Sequence, residues 1–205
     1  MNKNSCLMTG SCLLLCWLID PVAADWPMWR ADAGRTGVAR EAAPETPALR
    51  WLRKLPALTP AFRSPRLQFD AGYEPIVSGG LVIAGSSRND SVTAFDAQSG
   101  EQRWQFFTEG PVRFAPVAWR DRVFFGSDDG CVYCLEIQSG KELWKRRAVP
   151  SQRKILGNRR LISVWPVRGG PVVADERLYF AAGVWPMEGI VVYCLDALSG
   201  ETIWL

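Results

Sequence analysis

The sequence predicts an all-β fold assembled from four-stranded antiparallel units, and three observations predict it. An eleven-residue phrase occurs three times, at residues 94–104, 134–144 and 194–204. Each copy opens on a small residue, carries an acid two positions on, has Ser-Gly at its centre and ends on Trp four residues after the Gly. Each phrase also closes a longer stretch of short runs rich in Val, Ile, Tyr and Phe, separated by turns containing Gly and Asp, as expected of strands. No segment beyond residue 24 sustains a helical period.

Taken in order, the first unit (residues 74–107) runs from Pro75-Ile76-Val77 through Leu81-Val82-Ile83-Ala84-Gly85 and Val92-Thr93-Ala94-Phe95 to Trp104. The second (115–146) starts at Ala115-Pro116-Val117-Ala118-Trp119 and turns at Arg120-Asp121 into Val123-Phe124-Phe125-Gly126. Asp128-Asp129-Gly130 then leads to Val132-Tyr133-Cys134-Leu135, and Ser139-Gly140 to Leu143-Trp144. The third (170–205) repeats the order from Pro171-Val172-Val173 to Trp204. Four short strands in about 40 residues is the size of one β-propeller blade, and such units bury their apolar faces against each other. The expected fold is a β-propeller of four-stranded antiparallel blades, about three of them within residues 47–205, in an incomplete ring.

The phrase resembles the docking motif of the pyrrolo-quinoline quinone (PQQ)-like repeat propellers, Ala-x-Asp-x-x-Thr/Ser-Gly-x-x-x-Trp, and residues 94–104 match it at each position. WD repeats differ: they place Asp after the closing Trp, where Gln105, Lys145 and Leu205 stand here. The resemblance extends from about residue 51 to 205 and implies that each Trp is a wedge between blades, stacked near the small residue of its own phrase and the glycine of a neighbour. The docking set is then Ala94, Gly100, Trp104, Cys134, Gly140, Trp144, Cys194, Gly200 and Trp204. Cys134 and Cys194 replace the usual Ala and are still small and apolar enough for a tight contact. The recurring acids Asp96, Glu136 and Asp196 are read as satisfying turn amides.

Residues 1–24 pair a basic start at Lys3 with an apolar run over residues 6–19 and the small-residue ending Val22-Ala23-Ala24, the pattern of a signal peptide cleaved before Asp25. Fourteen residues is shorter than the ~20 of a membrane span. Localisation is therefore expected to be periplasmic or extracellular. Residues 25–46 follow as a strap; the opening Asp25-Trp26-Pro27-Met28-Trp29-Arg30 resembles the start of exported bacterial members of the PQQ-like group.

Three cysteines lie beyond residue 24: Cys131, Cys134 and Cys194. The first two have Cys-x-x-Cys spacing, but residues three apart on one strand point to opposite faces, so the thiols cannot converge. The chain has no His, which excludes imidazole nucleophile activation, imidazole metal ligands and Cys-x-x-Cys-His haem attachment. Quinone-dependent dehydrogenases, related through the resemblance, carry an adjacent Cys-Cys pair, a Glu/Asn/Asp calcium set and a catalytic Asp. No adjacent cysteines occur here. Asn89-Asp90 and Asp128-Asp129-Gly130 offer oxygen ligands but sit where hairpin turns are expected. No catalytic, cofactor-binding or metal-ligating residue is assigned.

The phrases are 40 residues apart from Trp104 to Trp144 and 60 from Trp144 to Trp204, so the third unit carries extra chain. Residues 145–168 hold Lys145, Arg146, Arg147, Arg153, Lys154, Arg159, Arg160 and Arg168 and no acid. Insertions in repeats emerge as loops on one face, often the binding face. Arg153, Lys154, Arg159, Arg160, Trp165 and Trp185 are therefore the candidate ligand-facing residues, suited to a protein or an anionic polymer. Trp165 and Trp185 each precede Pro, which holds them on stiff extended segments that either line an end of the propeller axis or pack across it. A net charge of only +3 gives little support for nucleic acid.

Propellers close with 4 to 8 blades, and Trp51 in Ala48-Leu49-Arg50-Trp51-Leu52 reads as the last strand of a further unit. The missing blades are expected downstream, with this chain the N-terminal part of a longer one. The favoured function is an exported, non-catalytic scaffold, similar to the propeller component of the outer-membrane β-barrel assembly machinery, without cofactor. The alternative is the front part of a PQQ-dependent alcohol or sugar dehydrogenase, which would add PQQ and calcium.

Overall fold

The computed structural model describes residues 25–205 except 63, 65, 67, 68, 149, 150 and 158, so the expected signal peptide lies outside the described residues. Fourteen strands and no α-helix are found among these residues. The first blade comprises β1 (Ile76–Ser78), β2 (Leu81–Ser86), β3 (Ser91–Asp96) and β4 (Gln102–Phe107), and the second β5 (Val117–Trp119), β6 (Arg122–Gly126), β7 (Cys131–Glu136) and β8 (Glu142–Arg147). A two-stranded hairpin follows, β9 (Lys154–Gly157) with β10 (Arg160–Ser163), before the third blade of β11 (Val172–Ala174), β12 (Arg177–Ala182), β13 (Val191–Asp196) and β14 (Thr202–Trp204). Every blade is an antiparallel meander in chain order, the all-β propeller architecture expected, and the three do not close into a ring. Their first strands β1, β5 and β11 are neighbours along the inner edge.

The blades stack face to face through two apolar cores. One packs Ile76, Ile83 and Trp104 of the first blade against Val123, Phe125 and Leu135 of the second. The other packs Phe124, Val132 and Trp144 of the second blade against Leu178, Phe180 and Leu195 of the third. The central blade is thus buried on both sides, which is why β6 and β7 read as nearly continuous apolar runs rather than alternating ones. Along β6, Val123 and Phe125 enter the first core and Phe124 enters the second, as strand alternation requires.

The same alternation separates the Cys-x-x-Cys thiols. Cys131 belongs to the first core and Cys134 to the second, both free and buried. Burial pushes each thiol up to about 11.

Residues 26–37 cross the inner strands. Trp26 and Val77 exchange backbone hydrogen bonds of 2.7 and 2.9 Å, and Ala118 N donates to Pro27 O at 2.7 Å. Arg35 reaches the third blade, donating through Nη2 to Gly170 O at 3.0 Å.

Part of the basic segment expected as loop is sheet. Lys145, Arg146 and Arg147 end β8, and residues 154–163 form the β9–β10 hairpin, with Ile162 opposite Ile155 and Leu161 opposite Leu156. The adjacent aliphatic pairs Ile155-Leu156 and Leu161-Ile162, on either side of a turn where Arg159 adopts φ 67, match face for face in that register.

Candidate functional site

Meander topology sends alternate turns to opposite ends of the blades. The repeat-phrase turns (97–101, 137–141, 197–201) lie at one end; connections 87–90, 127–130 and 183–190 lie at the other with 108–116 and the described parts of 151–171.

The phrase end is a docking ladder. Asp96 Oδ1 accepts from Gln98 N and Ser99 N, and Asp196 Oδ1 from Leu198 N and Ser199 N, while the Glu136 carboxylate accepts from Gln138 N and Ser139 N. These bonds hold all three carboxyls below the usual carboxylate range: for Asp96 the Arg103 hydrogen bond leads, for Glu136 that of Ser139, and for Asp196 the Ser199 backbone. The turn ends on Gly100, Gly140 or Gly200, with φ 71, 71 and 70. A bulge follows the small residue in each blade, leaving Ala94 opposite Trp104, Cys134 opposite Trp144 and Cys194 opposite Trp204.

Each wedge then covers the next glycine. Trp104 lies on Gly140 and Trp144 on Gly200, and their indole Nε1 atoms donate to Ile137 O at 2.9 Å and Leu198 O at 3.1 Å. Trp51 covers Gly100 in the same way and donates to Ala97 O at 3.0 Å, although its segment forms no strand among the described residues. Trp104 and Trp144 are 8% exposed, whereas Trp204 is 45% exposed. A second contact accompanies the ladder: Arg53 Nε donates to Gly100 O at 2.6 Å, and Arg146 Nε to Gly200 O at 2.9 Å. Both arginines stand two residues after a wedge Trp, a spacing visible in the sequence and overlooked in favour of the net charge of the segment.

The loop end holds a buried acid–arginine network. Arg113 donates through Nε to Asp128 Oδ2 at 2.7 Å and through Nη1 to Asp70 Oδ2 and Thr59 O at 2.5 and 2.7 Å. Arg168 forks onto Asp128 at 2.8 and 2.7 Å. The side chains of Arg113, Asp70 and Asp128 are at most 2% exposed. Arg160 pairs with Asp90 and also donates to Ser87 O at 3.0 Å. Burial raises the Asp90 carboxyl above its usual value, partly offset by Arg160 and Arg113. Asp129 is a turn residue in the expected sense, accepting from Cys131 N at 2.8 Å and from the Tyr133 hydroxyl at 2.5 Å.

The six candidate ligand-facing residues separate into two groups. Arg160 is engaged by Asp90, and Trp165 is packed in the second core with its Nε1 donating to Glu188 O at 2.6 Å. Arg153, Lys154, Arg159 and Trp185 remain exposed, Lys154 facing Glu109 at 3.4 Å. Trp185 walls a cleft of about 370 Å³ together with Ala61, Phe62, Leu156, Ile162 and Arg168, its ring edge-on to Phe62 at 6.1 Å.

Among the described residues no three His, Cys, Asp or Glu side chains are grouped to hold a metal ion. Of the oxygen ligands considered from the sequence, Asn89-Asp90 and Asp128-Asp129, Asp90 and Asp128 face arginines and Asp129 accepts from Cys131 N and the Tyr133 hydroxyl. The cysteines lie in separate places with no adjacent pair. No described helix is long and apolar enough to cross a membrane.

Comparison with known proteins agrees with this architecture. The chain is similar to the dehydrogenase subunit of a quinone alcohol dehydrogenase from Komagataeibacter europaeus, 26% identical over 143 residues that cover 63% of this chain and 18% of that protein. A subunit of the same description from Gluconobacter oxydans is 24% identical over 143 residues, so the chain spans less than a fifth of the curated relatives it matches. Among solved structures, the quinohemoprotein alcohol dehydrogenase from Comamonas testosteroni aligns over 89% of this chain and 27% of its own, with a TM-score of 0.62 at 20% identity, a likeness of fold. BamB from Moraxella catarrhalis aligns over 63% of this chain and 38% of its own, with a TM-score of 0.50 at 26% identity. The profile of the family described as "Outer membrane protein assembly factor BamB" matches residues 27–204, and the chain, with its wedge ladder, belongs to that family of PQQ-like propellers.

Proposed function

We propose that the protein is an exported, non-catalytic propeller scaffold that presents its loop end to a protein partner. The observation that carries this reading is the pairing of the loop-end acids: the buried Asp70 and Asp128 face Arg113, Asp128 also faces Arg168, and the half-buried Asp90 faces Arg160. A general base needs a carboxylate within reach of a substrate proton and free to take it. Carboxylates forked onto guanidinium groups position loops instead. The described loop end offers an aromatic cleft and exposed cations, features of recognition rather than proton transfer. Export is supported by the basic and apolar pattern of residues 1–24, and N-terminal sequencing of the mature protein is expected to return Asp25.

A second reading, part of a PQQ-dependent alcohol or sugar dehydrogenase, is favoured by the 26% identity to the quinone alcohol dehydrogenase subunit. One experiment separates the two. The full-length protein is incubated with PQQ and calcium, passed through gel filtration and assayed with alcohols and aldoses and an artificial electron acceptor. The scaffold reading expects no retained quinone absorbance and no dye reduction; calcium-dependent reduction would promote the dehydrogenase.

A further inference from the structure

We propose that the β9–β10 hairpin and the cleft beneath it dock an extended protein segment whose apolar residues are flanked by acidic ones. This rests on the scaffold reading and names the chemistry of its partner.

The hairpin has two unlike faces. Ile155 and Ile162 are cross-strand partners facing the body of the protein, with Ile162 only 6% exposed. The next pair outward, Leu156 and Leu161, is 75% and 64% exposed. A cross-strand leucine pair left in water forfeits the packing that normally stabilises a sheet face. Leu156 also walls the 370 Å³ cleft together with Trp185, which is 46% exposed. That volume admits one or two apolar side chains and no folded element, the geometry of an anchor pocket in a protein interface.

Charge selects the flanks. The acids nearest the basic segment are consumed within the molecule: Glu109 by Lys145 and Lys154, Asp90 by Arg160, and Asp128 by Arg168 and Arg113. Arg153 and Arg159, at the base and tip of the hairpin, are exposed and form no ion pair among the described residues. Loop 183–190 contributes one acid, Glu188. The rim therefore keeps a positive excess that acidic flanks complement. A polyanion would engage Arg153 and Arg159 but leave Leu156, Leu161 and Trp185 in water. A membrane surface suits apolar groups on a convex tip, whereas Leu156 and Trp185 wall a concavity.

The test uses full-length protein and fluorescent peptides read by anisotropy: a Leu-Phe-Leu centre with two Glu on each side, the same centre with Lys flanks, and Glu flanks around a Ser centre. The first is expected to bind, and the other two to bind at least about tenfold more weakly. The double variants Leu156→Ser/Leu161→Ser and Arg153→Glu/Arg159→Glu are each expected to weaken the first peptide by about tenfold, the second more steeply at low salt. All four positions are exposed, so unchanged melting of the variants serves as the folding control. The proposal is overturned by no peptide binding, by binding indifferent to both variants, or by dextran sulfate or phosphatidylglycerol vesicles binding in place of the peptide. Failure here without dye reduction leaves the scaffold reading standing, whereas dye reduction overturns that reading whatever the peptides do.

Discussion

A Cβ placed on Gly140 would fall 2.6 Å from Cδ2 of Trp104, inside any real carbon contact. Gly140 also adopts φ +71, so the position excludes a side chain twice, by backbone conformation and by the indole above it. Gly140→Ala is expected to destabilise the protein by about 2–4 kcal/mol, from left-handed strain plus overpacking. Trp144→Ala removes the equivalent wedge on Gly200 and is expected to cost about 3–5 kcal/mol. Denaturant midpoints of the full-length variants check both values. An unchanged midpoint in either would mean that the wedge is not a packing device.

The thiols give a prediction of opposite sense, that nothing happens. Cys131 and Cys134 are 1% and 0% exposed, and burial raises both to about 11, so thiolate is scarce at neutral pH. Native mature protein is expected to resist maleimide for hours near pH 7.5 and to label at Cys131, Cys134 and Cys194 once unfolded. Rapid native labelling, or a Cys131–Cys134 disulfide by mass spectrometry, would contradict the placement of the two in different cores.

What the sequence revealed and what it hid divide along sequence distance. The wedge ladder was legible because each phrase spans only eleven residues and its spacing repeats, and strand alternation alone separated Cys131 from Cys134. The acid–arginine network was not. Arg113 joins Asp128, 15 residues away, to Asp70, 43 residues away, and only the blade stacking brings them together. Reading Asp128-Asp129-Gly130 as a turn was right about the backbone and silent about the buried carboxylate. The partners of the basic segment were hidden in the same way, because Glu109, Asp90 and Asp128 lie far from it in the sequence.

Acid stability follows from the phrase carboxylates. Asp96, Glu136 and Asp196 each have a folded pKa below the unfolded one, because Arg103 at Asp96 and the Ser139 and Ser199 hydroxyls and turn amides at the other two bond the charged form. A depressed carboxyl stabilises above its unfolded value, near 4, and loses that contribution as pH falls through the folded value. Glu74 and Asp90, raised by burial, act with the opposite sign and offset part of the loss. Melting temperature is expected to fall below about pH 4, and the triple variant Asp96→Asn/Glu136→Gln/Asp196→Asn to flatten that acid limb. An acid limb equally steep in the triple variant would assign it to other groups.

The buried arginine supplies the sharpest contrast between two ion pairs in one molecule. The Arg113 side chain is 2% exposed and holds Asp70 and Asp128, each 1% exposed, so removing it takes the cation from a buried Asp70 carboxylate that water cannot reach and leaves Asp128 to Arg168 alone. Arg120 and Glu176 also pair, but at 53% and 64% exposure. Desolvation makes breaking a buried pair from one side cost about 3–5 kcal/mol, while solvent screening leaves an exposed pair near 0–1 kcal/mol. Arg113→Met is therefore expected to lower the denaturant midpoint by a large step that added salt scarcely reduces, and Arg120→Met to leave it within error. Because Arg113 links the segment carrying Asp70 to the 127–130 turn, the same variant should speed hydrogen exchange at Ala61 N, which donates to Asp70 at 2.9 Å. Equal effects from the two substitutions, or Ala61 exchange unchanged in Arg113→Met, would remove the network from the forces that hold the loop end together.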